Sequence, residues 1–184
     1  MKKIEDKSVS IIINPQLYSH QAGLKLGDWE KYFNLKYVNT LIAMALNQCI
    51  KNDELIINGY LITDKILYLV VKSNEKKFDS ILKKLENHIH FLLEIHKKES
   101  QNIDNYNFET DNESAYYHIR KPFFKFYPLN NEYLVPLITG KKVTLPYFDR
   151  KLEYLKMIIQ NNPFCSAIDY SGALGPVIVT LLND

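Results

Sequence analysis

An α+β fold, with an antiparallel β-sheet flanked by helices, is what the sequence predicts, and three stretches carry that expectation. Leu55 to Ile62 and Ile66 to Val71 are rich in β-branched and aromatic residues, and the turn-forming Thr63-Asp64-Lys65 separates them. They are expected to pair as a buried β-hairpin. Before the hairpin, Leu35, Val38, Leu41, Ile42, Ala45, Leu46 and Cys49 recur at the spacing of an amphipathic helix, which Asn52-Asp53 ends. After it, Ser73-Asn74-Glu75 supplies a helix start. Phe78, Ile81, Leu82, Leu85, Ile89, Leu92 and Leu93 then continue the same period along a second, longer helix.

The other elements are shorter. Val9 to Ile13 reads as a strand stopped by Asn14-Pro15, and the segment through Gly23 and Gly27 that follows reads as loop. Residues 98–114 are polar and aperiodic and are expected to form a mobile loop. A strand through Phe126 leads into Pro128, Pro136 and Pro146, each expected to interrupt regular structure. Asp149 is placed to cap a last helix over Lys151 to Gln160, and Val177 to Leu182 reads as a final strand.

At 184 residues the chain fits one domain, residues 1–184, with a core large enough to need no staples. Thirteen Tyr and nine Phe favour a binding surface that works by stacking. A net charge of +2 permits an acidic partner without demanding one. Cys49 and Cys165 are too few for a disulfide framework or a four-thiolate metal site, so a reducing, cytoplasmic location is expected. The short apolar run Val9 to Ile13 makes neither a signal peptide nor a membrane span, and no membrane partner is expected.

His88 and His90 flank Ile89 in a pattern that would make a metal pair on a strand, where alternate residues share a face. On a helix they diverge by about 200°. The helical period runs unbroken from Phe78 to Leu93, so these histidines are read as ordinary helix residues. Lys76, Lys77, Lys83 and Lys84 are read as a solvated face of the same helix, diluted by Glu75, Glu86 and Glu94. The turn at 139–144 contains Gly140-Lys141 but lacks the pattern of a phosphate loop, and His20, His96 and His118 stand isolated.

Several blocks, taken in order, carry a family resemblance. Y-F-N-L-K-Y at 32–37, L-N-Q-C at 46–49 and the hairpin at 55–71 are followed near the C-terminus by K-L-E-Y-L-K-M-I-I-Q-N-N-P at 151–163 and F-C-S-A-I-D-Y-S-G at 164–172. This series resembles the REP-associated, IS200-like branch of the HUH single-tyrosine transposases. The resemblance implies a ferredoxin-like split βαβ sheet and single-stranded or hairpin DNA as partner. It further implies a divalent ion, Mg or Mn, held by two histidines of the hairpin, and a helix tyrosine that attacks the scissile phosphate. Ile66 and Tyr68 fall on the two histidine positions. Ile66 has no donor atom, and a phenol that titrates near pH ~10 is a poor ligand, so the metal site is expected to be degenerate and no cofactor is expected.

The nucleophile position is ambiguous. Counting from Lys151-Leu152 places it at Tyr154, whereas counting back from Asn162-Pro163 places it at Ile158, about 6 Å along the helix axis. Tyr154 is therefore either a vestigial or displaced nucleophile or a packing residue. For DNA, Tyr116 to Tyr127 interleaves rings with cations, and Tyr116, Tyr117, Arg120, Lys121 and Lys125 are the candidate contacts. The competing arrangement is a strand whose rings fill the core. Three functions follow as expectations: a catalytically inactive transposase relative that binds single-stranded or hairpin DNA, an active nickase with unusual ligands, or a protein-interaction module that self-associates, with a homodimer among the expected partners.

Overall fold

A computed structural model describes residues 16–102 and 121–182. Four strands, β1 (Tyr18–Leu26), β2 (Ile56–Ile62), β3 (Ile66–Ser73) and β4 (Phe124–Tyr127), form one antiparallel sheet in the order β2-β3-β1-β4. Helix α1 (Leu35–Asp53) joins β1 to β2, and α2 (Phe78–Asn102) follows β3 on the way to β4. This element order and strand order are those of a ferredoxin-like split βαβ sheet. A 3-10 turn at Asp28–Tyr32 precedes α1, and three helices follow β4: α3 (Leu134–Ile138), α4 (Arg150–Asn161) and α5 (Ala167–Tyr170). Among the described residues, no helix is long and apolar enough to cross a membrane.

The hairpin and both long helices stand where the apolar periods place them. Asn34 caps α1 by accepting from the Tyr37 N–H at 2.8 Å. Apolar residues of α1 and α2 bury one face of the sheet together with Ala22, Leu24 and Leu26 of β1 and Leu67, Leu69 and Val71 of β3. Glu86 of α2 pins the start of β4, accepting from the Phe123 N–H at 2.7 Å and the Phe124 N–H at 3.3 Å. These charge-assisted bonds satisfy two backbone donors that burial would otherwise leave without water.

Four expectations need correction. The segment read as loop through Gly23 is β1, a central strand paired on both sides. Its sequence YSHQAGLKL is poor in β-branched residues, and neighbours on either side supply what propensity does not. Val9 to Ile13 lies outside the described residues. Helix α2 runs on to Asn102, so the start of the expected 98–114 loop is helical, and 103–120 lie outside the described residues. Pro136 does not interrupt α3 but sits in its first turn, where a missing N–H costs no intrahelical bond.

The fourth correction concerns the tail. Val177 to Leu182 is not a regular strand but a sealing segment along the open edge of β2. The Thr180 N–H donates to the Ile57 carbonyl at 2.8 Å, while the Ile178 N–H goes to Asn47 Oδ1 at 2.9 Å and the Leu182 N–H to the Tyr170 hydroxyl at 3.1 Å. A bulge at Asn58 breaks the register of β2, and its side chain donates to the Thr180 carbonyl at 2.8 Å. Further along the same edge, the Ile62 N–H donates to Phe164 O at 2.9 Å and the Ser166 N–H to Tyr60 O at 3.0 Å. The Ser166 hydroxyl accepts from the buried Tyr60 N–H at 2.8 Å and also faces the Ile138 carbonyl. Scattered backbone bonds and side chains together thus replace a fifth strand.

Ser166→Ala strands the Tyr60 N–H in the core and is expected to lower stability by about 1–3 kcal/mol in urea denaturation. Ser171→Ala, at an exposed hydroxyl, is expected to stay within about 0.5 kcal/mol of the parent. Burial pushes the Cys165 thiol up to about 11. The folded state therefore holds a proton that the unfolded chain releases at lower pH, so this stabilisation is complete below the unfolded value near ~9 and is lost as pH rises toward the folded one. Stability measured from pH 9 to 11 is expected to fall by up to ~1.4 kcal/mol per pH unit from this thiol, with a shallower fall in Cys165→Ala.

Candidate functional site

The strand period of β3 decides how positions 66 and 68 are presented. Leu67, Leu69 and Val71 point under α1 and α2, which leaves Ile66 and Tyr68 together on the opposite face. Pairing register extends both positions across the sheet. Lys25 lies opposite Ile66 on one side and opposite Lys125 on the other. Gly23 likewise lies between Tyr68 and Tyr127. Directly paired residues share a face, so Ile66-Lys25-Lys125 and Tyr68-Gly23-Tyr127 form two adjacent rows.

Lys25 and Lys125 are exposed, and Tyr127 retains 40% exposure. Asp28 stands close enough to feel both lysines. Its carboxyl is held below the usual carboxylate range chiefly by its hydrogen bond and charge contact with Lys31, with smaller contributions from Lys125 and Lys25. In the second row, the Leu129 side chain lies over Gly23, 3.6 Å from where a Cβ would stand, and helps to cover Tyr68. Burial, and then the neighbouring Tyr127, push the Tyr68 phenol above its ordinary value. A neutral phenol beside an isoleucine offers nothing to replace two imidazoles.

The segment at 116–127 divides in a way the sequence did not reveal. Tyr116, Tyr117 and Arg120 lie outside the described residues. Lys121 Nζ donates to Asn87 of α2 and so is tied to the helix side. Phe123 and Phe124 are buried in the core, and Phe126 meets Phe78 of α2 edge-on at 5.9 Å. Of the described residues of this segment, Lys125 and Tyr127 face the side that carries Ile66 and Tyr68. The core-filling arrangement therefore applies to Phe123 and Phe124.

Helices α3 and α4 cover the β2-β3 half of this same face, where Leu134, Ile138, Leu155 and Ile159 cluster with Leu61, Tyr68 and Val70. Asp149 caps α4, its Oδ1 accepting from the Lys151 and Leu152 N–H groups at 2.8 and 2.9 Å. Leu152, Leu155 and Ile159 take the buried side of α4 and Ile158 is half-buried. Tyr154 is 62% exposed, which removes the reading of it as a core packing residue.

Just before α4 in the chain, two more rings are exposed, Tyr147 at 64% and Phe148 at 81%. Lys141, Lys142, Arg150 and Lys151 are exposed along the same stretch. Its two acids are engaged, Asp149 as the helix cap and Glu153 with Lys156 at 2.8 Å. Among the described residues Lys141, Lys142, Arg150 and Lys151 make no ion pair, and the apolar surface of Phe148 lies open beside them in the chain. The sequence gives no local sign of this exposure, because an adjacent Tyr-Phe pair after a proline reads equally well as core and the Gly-Lys-Lys turn lacks any motif of its own.

His88 and His90 are placed as expected on a helix, α2. His88 Nε2 lies 2.8 Å from Asp53 Oδ2, and His90 is exposed. His20 is not isolated, since its Nε2 is 2.8 Å from the Glu75 carbonyl, and His96 Nδ1 is 2.6 Å from the Tyr37 hydroxyl.

No protein-family model matches this chain, and neither the curated proteins nor the solved structures yield a match.

The shared face of positions 66 and 68 can be read out directly. Beyond any Co2+ or Zn2+ that the parent chain takes up, the double variant Ile66→His/Tyr68→His is expected to bind an added ion at least about tenfold more tightly than either single variant, because strand spacing aims both imidazoles at one ion. Equal affinity of the single and double variants in isothermal titration would contradict that geometry.

Proposed function

We propose that the chain binds single-stranded or hairpin DNA and does not cleave it through a metal centre, as an inactive relative of the HUH single-tyrosine transposases. The observation that carries this reading is the exposed trio Tyr147, Phe148 and Tyr154, set among Lys141, Lys142, Arg150 and Lys151. Rings of this kind stack on any base, and cations follow the phosphates between them. Lys25, Lys125 and Tyr127 on the same side of the sheet would extend the track. The order of the sequence blocks supports the family side of the proposal.

Binding without cleavage follows from the donor chemistry. A phosphodiester needs charge neutralisation before a tyrosine can displace an oxygen from it, and Ile66 cannot contribute to holding the ion that would supply it. Tyr154 remains a stacking surface under this reading. The exposed Leu174, 96% accessible, together with Ile178 at 64%, favours a second reading, in which the chain associates with a copy of itself.

Fluorescence anisotropy of labelled single-stranded and hairpin oligonucleotides at two salt concentrations, with and without Mn2+, separates these readings. Affinity is expected to fall with salt and to ignore Mn2+. Phe148→Ala is expected to weaken binding about five- to a hundredfold, the loss of one stacked base. Lys141→Gln/Lys142→Gln should reduce the slope of log affinity against log salt by about 1.4. A covalent adduct lost in Tyr154→Phe would instead establish the active nickase. Absence of oligonucleotide binding with salt-insensitive association in sedimentation would establish the self-associating module.

A further inference from the structure

On the helix side of the sheet, remote from positions 66 and 68, three dissimilar donors converge. Cys49 and Asp53 are one turn apart on α1 and project from the same side of that helix toward α2. His88 of α2 meets them there. The thiol sulfur, a carboxylate oxygen and an imidazole nitrogen all lie within 4.8 Å of one another. Among the described residues, this is a group of His, Cys and Asp donors that one ion can reach.

We propose that Cys49, Asp53 and His88 form a binding site for a zinc-like divalent ion between α1 and α2. Sulfur, nitrogen and oxygen together suit a borderline ion such as Zn2+, whereas magnesium and calcium sites are built from oxygen alone. Three atoms spaced within 4.8 Å leave a central ion no farther than about 2.8 Å from any of them. Zinc bonds of about 2.0–2.3 Å then require each side chain to move by less than an ångström.

Burial suits the roles. Cys49 is 1% exposed, whereas the side chains of Asp53 and His88 each retain 20% exposure, so the fourth position of a tetrahedral ion opens toward solvent. The gap beside the thiol, lined by Cys49, Asp53, Leu55, Ser73, Ile81 and Lys84, is too narrow for a water molecule, so an ion reaches the sulfur only as the half-buried Asp53 and His88 side chains shift. Lys84 stands beside the site, 3.8 Å from Asp53 Oδ1. It is held more closely by Glu75 at 2.9 Å, an arrangement that leaves Asp53 Oδ2 to the ion. Thiolate and carboxylate together balance the two charges of the metal; the thiol proton passes to solvent on binding, and the proton between His88 Nε2 and Asp53 Oδ2 leaves that contact for His88 Nδ1 or for solvent.

The test is a Co2+ titration of the tag-free full chain, read by its ligand-field absorption and its thiolate-to-cobalt charge-transfer band, with Zn2+ added last as competitor. One Co2+ per chain, displaced by Zn2+, is expected. The charge-transfer band should vanish in Cys49→Ser, and affinity should fall at least about tenfold in Asp53→Asn and His88→Gln. Cys165→Ser, which removes the other thiol, should leave the band intact. His88 is partly exposed, so His88→Gln remains informative should the buried Cys49→Ser destabilise the fold. Absence of the band in the parent chain, or its persistence at parent affinity in His88→Gln, overturns the proposal and leaves Asp53 and His88 as a hydrogen-bonded pair only.

Discussion

Everything on the far side of the sheet depends on how the outer edge of β2 is closed. A terminal strand presents a row of unpaired N–H and C=O groups, and the second layer of this molecule is held by satisfying them. Cys165 makes a single bridge with Leu61, Ser166 inserts its hydroxyl against Tyr60, and Tyr170 donates to the Asn58 carbonyl at 2.8 Å while accepting from Leu182. Asn162 adds a bond from its side chain to the Ile62 carbonyl at 2.8 Å. The block F-C-S-A-I-D-Y-S-G is thereby explained as an edge clamp. It needs no part in chemistry to account for its residue types.

That clamp has a consequence for the exposed rings. Only one side of α4 is required for packing, because Leu152, Leu155 and Ile159 already fill the space over β2 and β3. The opposite side can then carry Tyr154 at no cost to the core. Large rings in water gain nothing for folding, and three of them within one short stretch, set among cations whose acidic neighbours are engaged, are better accounted for by a ligand than by stability. Gly59 lets this layer sit close, since a Cβ there would stand 3.0 Å from the Ile138 carbonyl.

The two sides of the sheet are chemically separate. Beneath it, α1 and α2 enclose a dry core with a polar knot at Cys49, Asp53, Lys84 and His88. Above it, Ile66 and Tyr68 keep the shared face that a pair of ligands would need while contributing packing instead. Burial of the Tyr68 ring is favourable as a neutral phenol and would be costly as a phenolate, which is why its environment holds the proton on.

Several features were set by local sequence alone. The hairpin, α1, α2 and α4 follow from apolar period and caps, and the shared face of Ile66 and Tyr68 follows from the two-residue repeat of a strand once β3 is recognised. The helical placement of His88 and His90 has the same origin. Pairing between distant segments decided the rest. β1 exists because β3 and β4 flank a sequence with little strand preference of its own, and Lys25 meets Lys125 only through that register. The tail's path along β2, the inward turn of Phe123 and Phe124, and the meeting of Asp53 with His88 across α1 and α2 are equally non-local. Periodicity reports which side of an element is buried, but the partner that buries it is fixed by packing between segments far apart in the chain, and a single sequence carries no local signal of that choice.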